Sequence, residues 1–223
     1  MLGSAILGVG IRRVAPMCGD VAVTAAVMQP RILQSVRLAF PDPELAAGGI
    51  VLRRLEADDV PWITTACSDR ELSQYIPVIP HPYSQSDARA FIEHAARGWA
   101  EGSEATFVIA GAPSGDGLGT VGLHLVADDA GLAGIGYWLR REARGHGAAT
   151  IAVRLVSVWA FEELGIQRLD LITAPENVAS QRVAERAGFT REGLLRAWMP
   201  TSEGRRDSVM FSLLADDPAR KTL

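Results

Sequence analysis

Cysteine is scarce in this sequence, and long basic or apolar runs are missing. Only two cysteines occur among 223 residues, Cys18 and Cys67. Two cysteines cannot form a disulfide framework and lack the spacing of zinc ligands, so we expect reduced thiols, a cytoplasmic protein and no metal. The formal net charge is -4, with no run of Lys or Arg. We therefore expect neither nucleic acid nor an anionic membrane as a partner.

The composition is that of a globular chain with a substantial core, since 48% of the residues are hydrophobic and 22% are charged. Residues 1–46 are rich in Gly, Ala and Val without a helical or strand period. Their apolar stretch is shorter than the roughly 20 residues that span a bilayer, and Arg12 and Arg13 follow it, whereas a signal peptide has its basic residues first. We expect 1–46 to be an extension, either disordered or the result of a start assigned too early, and 47–223 to be one domain.

Beyond residue 48, hydrophobic periodicity and turn residues predict a regular alternation of strands and helices. The segment "IPVIPHPY" has too many prolines for either. One helix is expected after an N-cap at Asp58 or Asp59 and another after "RGHG". The remaining helices are predicted over 84–102 and 177–188, and the strands over 49–55, 105–112, 118–127, 132–140, 167–174, 189–199 and 205–215. Tight turns join the second, third and fourth strands, which predicts an antiparallel meander.

The turn "RGHGAAT" lies between the fourth strand and the following helix. Its glycines permit a close approach to the backbone, and the first amides of the helix are unpaired at the positive end of its dipole. Arg144 adds a positive charge, so the turn is suited to a phosphate. A tight turn that merely requires glycine is the simpler interpretation of an isolated Gly-x-Gly. A P-loop and a dinucleotide-binding turn are excluded, because Lys-Ser/Thr and a third glycine are both missing.

The motif Arg144-x-x-Gly147-x-Ala149 resembles the Arg/Gln-x-x-Gly-x-Gly/Ala signature of the GNAT superfamily of acyl-CoA-dependent N-acetyltransferases. The resemblance covers nearly all of 49–215. The segments "IGYWLRREARGHGAAT", "ENVASQRVAERAGFTREGLLR" and "GRRDSVMFSLL" are similar to the ribosomal-protein-alanine acetyltransferase branch, and "YIPVIPHPYSQSDARAFI" resembles its substrate-side helices.

This resemblance implies an α/β (α+β) fold with a mixed, mainly antiparallel sheet of six to seven strands, flanked by about four helices. The sheet is expected to be splayed between strands four and five, with acetyl-CoA, the acyl donor, in the gap. Backbone groups around Trp138 and Leu139 would pair with the pantetheine, and the Asn177 amide would lie near it. The residues implied at the pyrophosphate are Arg144, Gly145, His146, Gly147, Ala148, Ala149 and Thr150. Asn177 is also suited to cap its helix, and the two roles are compatible.

The resemblance assigns catalytic roles to Leu139 and Ser180. The Leu139 amide would stabilise the oxyanion formed when an amine attacks the thioester. Many members have a tyrosine acid where this chain has Ala184, and some have a glutamate base where it has Ile172. In the ribosomal-protein branch a serine is the suggested substitute, and Ser180 matches it. The alternative for Ser180 is a small polar residue in the first turn of a helix.

The base and the acceptor stay open. His124 and Glu142 are candidate bases, although His124 is more simply a sheet histidine with a hydrogen-bond partner and Glu142 part of a solvated turn. The aromatic residues that would line an acceptor pocket, or simply pack, are Tyr75, Tyr83 and Trp99. Without a strong base, a weakly basic protein α-amine is favoured over lysine. The alternatives are a small amine such as an amino sugar, and an acyl-CoA-binding module without turnover. The oligomeric state is open, a homodimer included.

Overall fold

The computed structural model of the protein describes residues 38–201 and 204–218. Within these ranges an α/β domain contains five helices and one eight-stranded sheet. The helices are α1 (Val60–Cys67), α2 (Arg70–Tyr75), α3 (Gln85–Glu101), α4 (Ala148–Glu162) and α5 (Val178–Arg186). The strands are β1 (Ala46–Ala47), β2 (Ile50–Arg53), β3 (Glu104–Gly111), β4 (Gly117–Val126), β5 (Asp129–Leu139), β6 (Arg168–Thr173), β7 (Thr190–Thr201) and β8 (Gly204–Leu214).

The sheet has the order β1-β2-β3-β4-β5-β6-β8-β7. The predicted meander is confirmed, because β3, β4 and β5 pair antiparallel through short turns. All seven predicted strands are present. The eighth, β1, has two residues and pairs with the start of β2, and a strand this short carries no alternation that a sequence could display.

The helix count also exceeds the prediction by one. The additional helix is α2, whose six residues are too few for an apolar period. Its N-cap is Asp69, which accepts a hydrogen bond from the backbone N–H of Glu71 at 3.1 Å. The proline-rich segment 76–83 forms neither helix nor strand, as predicted. No helix among the described residues is both long and apolar enough to span a membrane.

The main core lies between the sheet and the face covered by α4, and it includes an aromatic cluster. Trp99 packs edge-on against Phe107 with ring centroids 5.2 Å apart, and Phe107 packs edge-on against Trp159 at 5.5 Å. Phe40 joins this cluster, at 5.5 Å from both Trp99 and Phe107. Leu38, Phe40 and Leu45 therefore pack against the core of the domain, which the prediction of a separate extension over 1–46 did not anticipate. Residues 1–37 lie outside the described residues.

The expected splay lies between β5 and β6, the one parallel pair of the described sheet. Their register covers only Leu132↔Arg168, Ala133↔Leu169 and Gly134↔Asp170. Beyond Gly134 the ladder ends, while β5 continues to Leu139 and β6 to Thr173. The two strands therefore leave a gap at their carboxyl ends.

Candidate active site

Two helices begin beside the gap. Because β5 and β6 are parallel, their carboxyl ends lie at the same edge of the sheet. β5 leads into α4 through the turn "RGHG", and β6 leads into α5 through Asn177. The first amides of both helices are therefore directed towards the edge where the strands diverge.

The turn before α4 has a backbone that favours glycine. Gly145 has φ +84° and Gly147 φ +86°, in the left-handed region where a Cβ is unfavourable. A Cβ added to either would meet nothing within 4 Å, so the requirement comes from backbone conformation and not from crowding. His146 between them is exposed. The turn thus presents open backbone to solvent.

The first amides of α4 have no capping side chain. Gly147 is the N-cap, and the first hydrogen bond of the helix runs from Ile151 N–H to Gly147 carbonyl at 3.1 Å. The amides of Ala148, Ala149 and Thr150 precede that bond and have no partner within the helix. The side chains of Ala148 and Ala149 are buried, whereas the residues of the preceding turn from Gly145 to Gly147 are exposed. This arrangement suits a phosphate.

Arg144 is held by two carboxylates at the N-terminus of α2. Its guanidinium lies 3.1 Å from Asp69 Oδ2 and 2.9 Å from Glu71 Oε2, and its Nε donates to the Leu139 carbonyl at 3.1 Å. Arg141 contacts the same two acids, each at 3.0 Å. Arg144 therefore connects the glycine turn to the start of α2. The predicted contact between its guanidinium and the pyrophosphate stays a prediction.

The backbone of β5 presents alternate residues to the gap. β4 and β5 are antiparallel, with Gly119 opposite Leu139, and Arg140 N–H donates to the Leu118 carbonyl at 2.9 Å. Hydrogen-bonded and non-hydrogen-bonded pairs alternate in such a ladder, so the Leu139 N–H points away from β4. Its direction is towards the gap, as an oxyanion donor requires.

The same register corrects the prediction for Trp138. Its backbone groups face β4 and are used in the ladder, whereas those of Tyr137 and Leu139 face the gap. The indole of Trp138 lies on the other face of the sheet, where it packs against Trp62 with ring centroids 5.7 Å apart. A one-residue change in register reverses which groups are presented, and the sequence alone does not determine it.

The first turn of α5 brings Asn177 and Ser180 together. Asn177 is the N-cap, and its Oδ1 accepts the Ser180 N–H at 3.0 Å, so the capping interpretation is confirmed. The carboxamide nitrogen is not used by the cap. Ser180 Oγ accepts a hydrogen bond from Tyr137 Oη at 3.0 Å. Burial raises the pKa of Tyr137 to about 12, although the bond to Ser180 acts in the opposite direction.

Tyr137 is a residue that the sequence prediction missed. Its only signal is its position in "IGYWL", two residues before Leu139 and thus on the same face of the strand. Ala184, which stands where many members have a tyrosine, is a fully buried residue of α5. Ile172, which stands where some have a glutamate, lies on β6 and pairs with Met210. Neither position offers a titratable group.

Neither candidate base is well placed: His124 is distant from the Leu139 N–H, and Glu142 is exposed. His124 pairs with Gly134, so it lies five residues along the sheet from Leu139, roughly 16 Å in an extended strand. Its Nδ1 is 3.5 Å from Glu104 Oε2, and His94 Nε2 is 3.2 Å from the same oxygen. Glu142 is exposed in a short 3-10 turn. The sheet-histidine interpretation of His124 agrees with this geometry.

Burial of Glu104 would raise its pKa, but the hydrogen bonds and charges around it have the larger combined effect. His124, Thr106 and His94 together lower the pKa of Glu104 to about 2. Trp99 donates its indole N–H to the Thr106 carbonyl at 3.0 Å and is buried. Trp99 is therefore a packing residue of the core and not part of an acceptor pocket.

Among residues 38–201 and 204–218, no group of three or more His, Cys, Asp or Glu side chains is arranged to hold a metal ion. Cys67 is buried, and desolvation raises the pKa of its thiol to about 12. It is therefore unsuited to act as a nucleophile. Cys18 lies outside the described residues.

Comparison with known proteins identifies the domain. Residues 50–190 match the profile described as the acetyltransferase (GNAT) domain. An uncharacterized N-acetyltransferase, p20 of Bacillus licheniformis, is 31% identical over 165 residues, which cover 74% of this chain and 92% of p20.

Two solved structures share the fold. The ribosomal-protein-S5-alanine acetyltransferase of Vibrio fischeri has a TM-score of 0.69 at 19% identity, with 79% of this chain and 98% of that chain covered. The microcin C7 self-immunity acetyltransferase MccE, in complex with acetyl-CoA and AMP, has a TM-score of 0.69 at 21% identity, with 80% and 99% covered. At these identities the likeness concerns the fold.

Proposed function

We propose, from the premise that this chain belongs to the GNAT acetyltransferase family, that it transfers the acetyl group of acetyl-CoA to a primary amine, foremost a protein or peptide α-amine. The chain is an acyl-CoA-dependent acetyltransferase. The observation that carries the proposal is the convergence of three elements at one edge: the Leu139 N–H, the free first amides of α4 and the Ser180 hydroxyl. A cytoplasmic location is the expectation from cysteine usage.

The residues present fit the donor. The amides of Ala148, Ala149 and Thr150 would hold the pyrophosphate, and the missing Cβ atoms of Gly145 and Gly147 leave the space that it needs. In the gap, the outward backbone groups of Tyr137 and Leu139 would pair with the amide groups of the pantetheine in the place of a further strand. The Asn177 carboxamide nitrogen would supply another donor.

Direct transfer requires no covalent intermediate with the protein. The site positions a neutral amine against the acetyl carbonyl, and Leu139 N–H donates to the carbonyl oxygen as negative charge develops. Ser180, on the opposite wall of the gap, is the hydroxyl available to protonate the departing sulfur. None of these roles needs a metal ligand or a nucleophilic side chain.

The acceptor is inferred from the absence of a nearby base among the described residues. An α-amine titrates near pH 8, so roughly a fifth of it is neutral at physiological pH, whereas lysine, near 10.4, is almost fully charged. A site with His124 remote and Glu142 solvated therefore suits an α-amine. The ribosomal-protein-S5-alanine acetyltransferase in the structural comparison supports this acceptor class. A small-molecule amine is the second candidate, supported by the AMP bound to MccE.

Thiol release from acetyl-CoA tests the proposal with three acceptors at equal concentration. These are peptides with a free N-terminus and no lysine, the same peptides N-acetylated with one lysine, and a panel of amino sugars. The Gly147→Glu variant is the control for release that does not depend on the site. Release on free N-termini alone is expected. Release only on amino sugars would contradict the α-amine acceptor, and tight CoA binding without release would indicate a binding module.

A further inference from the structure

We propose that Tyr137 is a positioning residue for acetyl transfer. Its hydroxyl donates a hydrogen bond to Ser180 Oγ, so the serine proton is left to be donated to the CoA sulfur. The inference rests on the proposed function and names a further residue for that site. It starts from a single contact, the 3.0 Å hydrogen bond from Tyr137 Oη to Ser180 Oγ.

The contact joins the two walls of the gap. Tyr137 lies on β5 and Ser180 in the first turn of α5. Tyr137 shares the strand face of Leu139, and both pack on the side of the sheet that α4 covers. Their Cα atoms are roughly 7 Å apart along the strand. The Tyr137–Ser180 pair therefore lies beside the amide proposed to bind the oxyanion.

The direction of the hydrogen bond determines what Ser180 can do. A serine hydroxyl has one proton and two acceptor lone pairs. Because Ser180 Oγ accepts from Tyr137, its own proton is available for a different acceptor. A hydroxyl that accepts a hydrogen bond also becomes a better donor, since neighbouring bonds polarise one another. Tyr137 thereby orients and activates a group that is a poor acid in isolation.

Two further features support the hydrogen bond from Tyr137 to Ser180. The Ser180 N–H is bonded to Asn177 Oδ1 at 3.0 Å, so the backbone of the first turn of α5 is fixed at the position that carries the hydroxyl. Burial raises the pKa of Tyr137 to about 12. The phenol therefore stays protonated at neutral pH and donates to Ser180 throughout the reaction without losing its proton.

The step balances with water as the only other participant. The amine nitrogen bonds the acetyl carbon and releases one proton to water. The carbon–sulfur bond breaks with its electron pair on sulfur, and Ser180 passes its proton to the sulfur while it takes one from water. The products are an amide and a free thiol, and Tyr137 is unchanged.

Tyr137→Phe removes the hydroxyl and keeps the ring, so it tests the inference in a double-mutant cycle with Ser180→Ala. We expect Tyr137→Phe to lower kcat roughly 5- to 50-fold and Ser180→Ala roughly 10- to 1,000-fold, with the KM for acetyl-CoA and its Kd changed less than about twofold. In the Ser180→Ala background, Tyr137→Phe should have almost no further effect on kcat, because the group it positions is already missing.

Ser212→Ala is the matched control. Its buried hydroxyl donates to Glu192 at 2.6 Å, and it lies opposite Asp170, on the far side of β6 from the gap edge. This variant should lose melting temperature without losing kcat. It therefore separates the effect of a deleted hydroxyl on stability from an effect on turnover.

Three results would overturn the inference: an unchanged kcat in Tyr137→Phe, a raised KM with kcat unchanged, or fully multiplicative effects on kcat in the double variant. Each is distinguishable from failure of the proposed function, which would appear as no acceptor-dependent turnover in the parent enzyme.

Discussion

Gly147→Glu tests the proposed phosphate site most directly, because it changes the N-cap of α4 without altering the core. Gly147 is exposed and has φ +86°. A Cβ there meets nothing within 4 Å, so the steric cost is confined to backbone strain. That strain is roughly 1–2 kcal/mol for a residue other than glycine. For a domain of this size it lowers the melting temperature by roughly 2–8 °C.

The effect on CoA binding has a different origin. A glutamate carboxylate at the N-cap can accept the free amides of α4 itself, and it repels the phosphate charges. At about 5 Å and an effective dielectric of about 20, the repulsion is roughly 3 kcal/mol per charge. Because the turn is exposed, solvent and salt reduce this value. We expect acetyl-CoA to bind roughly 10- to 100-fold more weakly, or worse where the side chain also blocks the site.

Gly147→Ala is the matched control, since it has the same backbone strain without the charge or the length. Calorimetric titration at low and high salt measures the affinity for acetyl-CoA. The alanine variant should bind slightly more weakly than the parent, and the glutamate variant should show a larger, salt-dependent loss of affinity. Equal affinities for the two variants would refute the assignment of the pyrophosphate to this turn.

Three further predictions follow from the described contacts. Arg144→Ala should weaken acetyl-CoA binding about tenfold or less, and less than Gly147→Glu does, because its guanidinium is held by two carboxylates at the N-terminus of α2; titration calorimetry checks the ranking. A chain that begins at residue 47 should have a lower melting temperature than one that begins at residue 38, because Phe40 is lost; equal melting temperatures would contradict its packing role. Since the folded-state pKa of Glu104 is lowered to about 2 from 4.5, its contribution to stability is present above about pH 4.5 and is lost as pH falls towards 2, so the stability difference between the parent and Glu104→Gln should narrow over that range. Urea unfolding of both proteins at several pH values measures this stability difference. A difference that does not change with pH would contradict the lowered pKa of Glu104.

Much of the fold follows from local patterns that the sequence displays. The alternation of "LGTVGLHLVA" and the Gly-rich turns around it determine a meander, because the side-chain period and the turn conformations depend on near neighbours. The same is true of the glycine turn before α4. Free amides at a helix start are a property of helix geometry, so a phosphate site could be predicted there before any contact was known.

What short patterns could not predict are the elements and contacts that depend on distant segments. β1 and α2 are too short to show a period, and Phe40 follows a stretch without regular structure, so its packing depends on rings at Trp99 and Phe107. The engagement of Arg144 by acids was not predictable from its surroundings, because one of them, the α2 N-cap Asp69, is 75 positions away along the chain.

The contact between Tyr137 and Ser180 is the clearest case of a feature decided by tertiary structure. Ser180 and Leu139 were singled out by the resemblance to the GNAT family, which rests on motifs that are local in the sequence. Tyr137 and Ser180 are separated by 43 positions, and they meet only because β5 and β6 are parallel neighbours whose carboxyl ends diverge. Which of Trp138 and Leu139 faces the gap depends on the register with β4, and a shift of one residue would exchange them. Register and strand order arise from the packing of the whole sheet, which is why they became visible only in the folded chain.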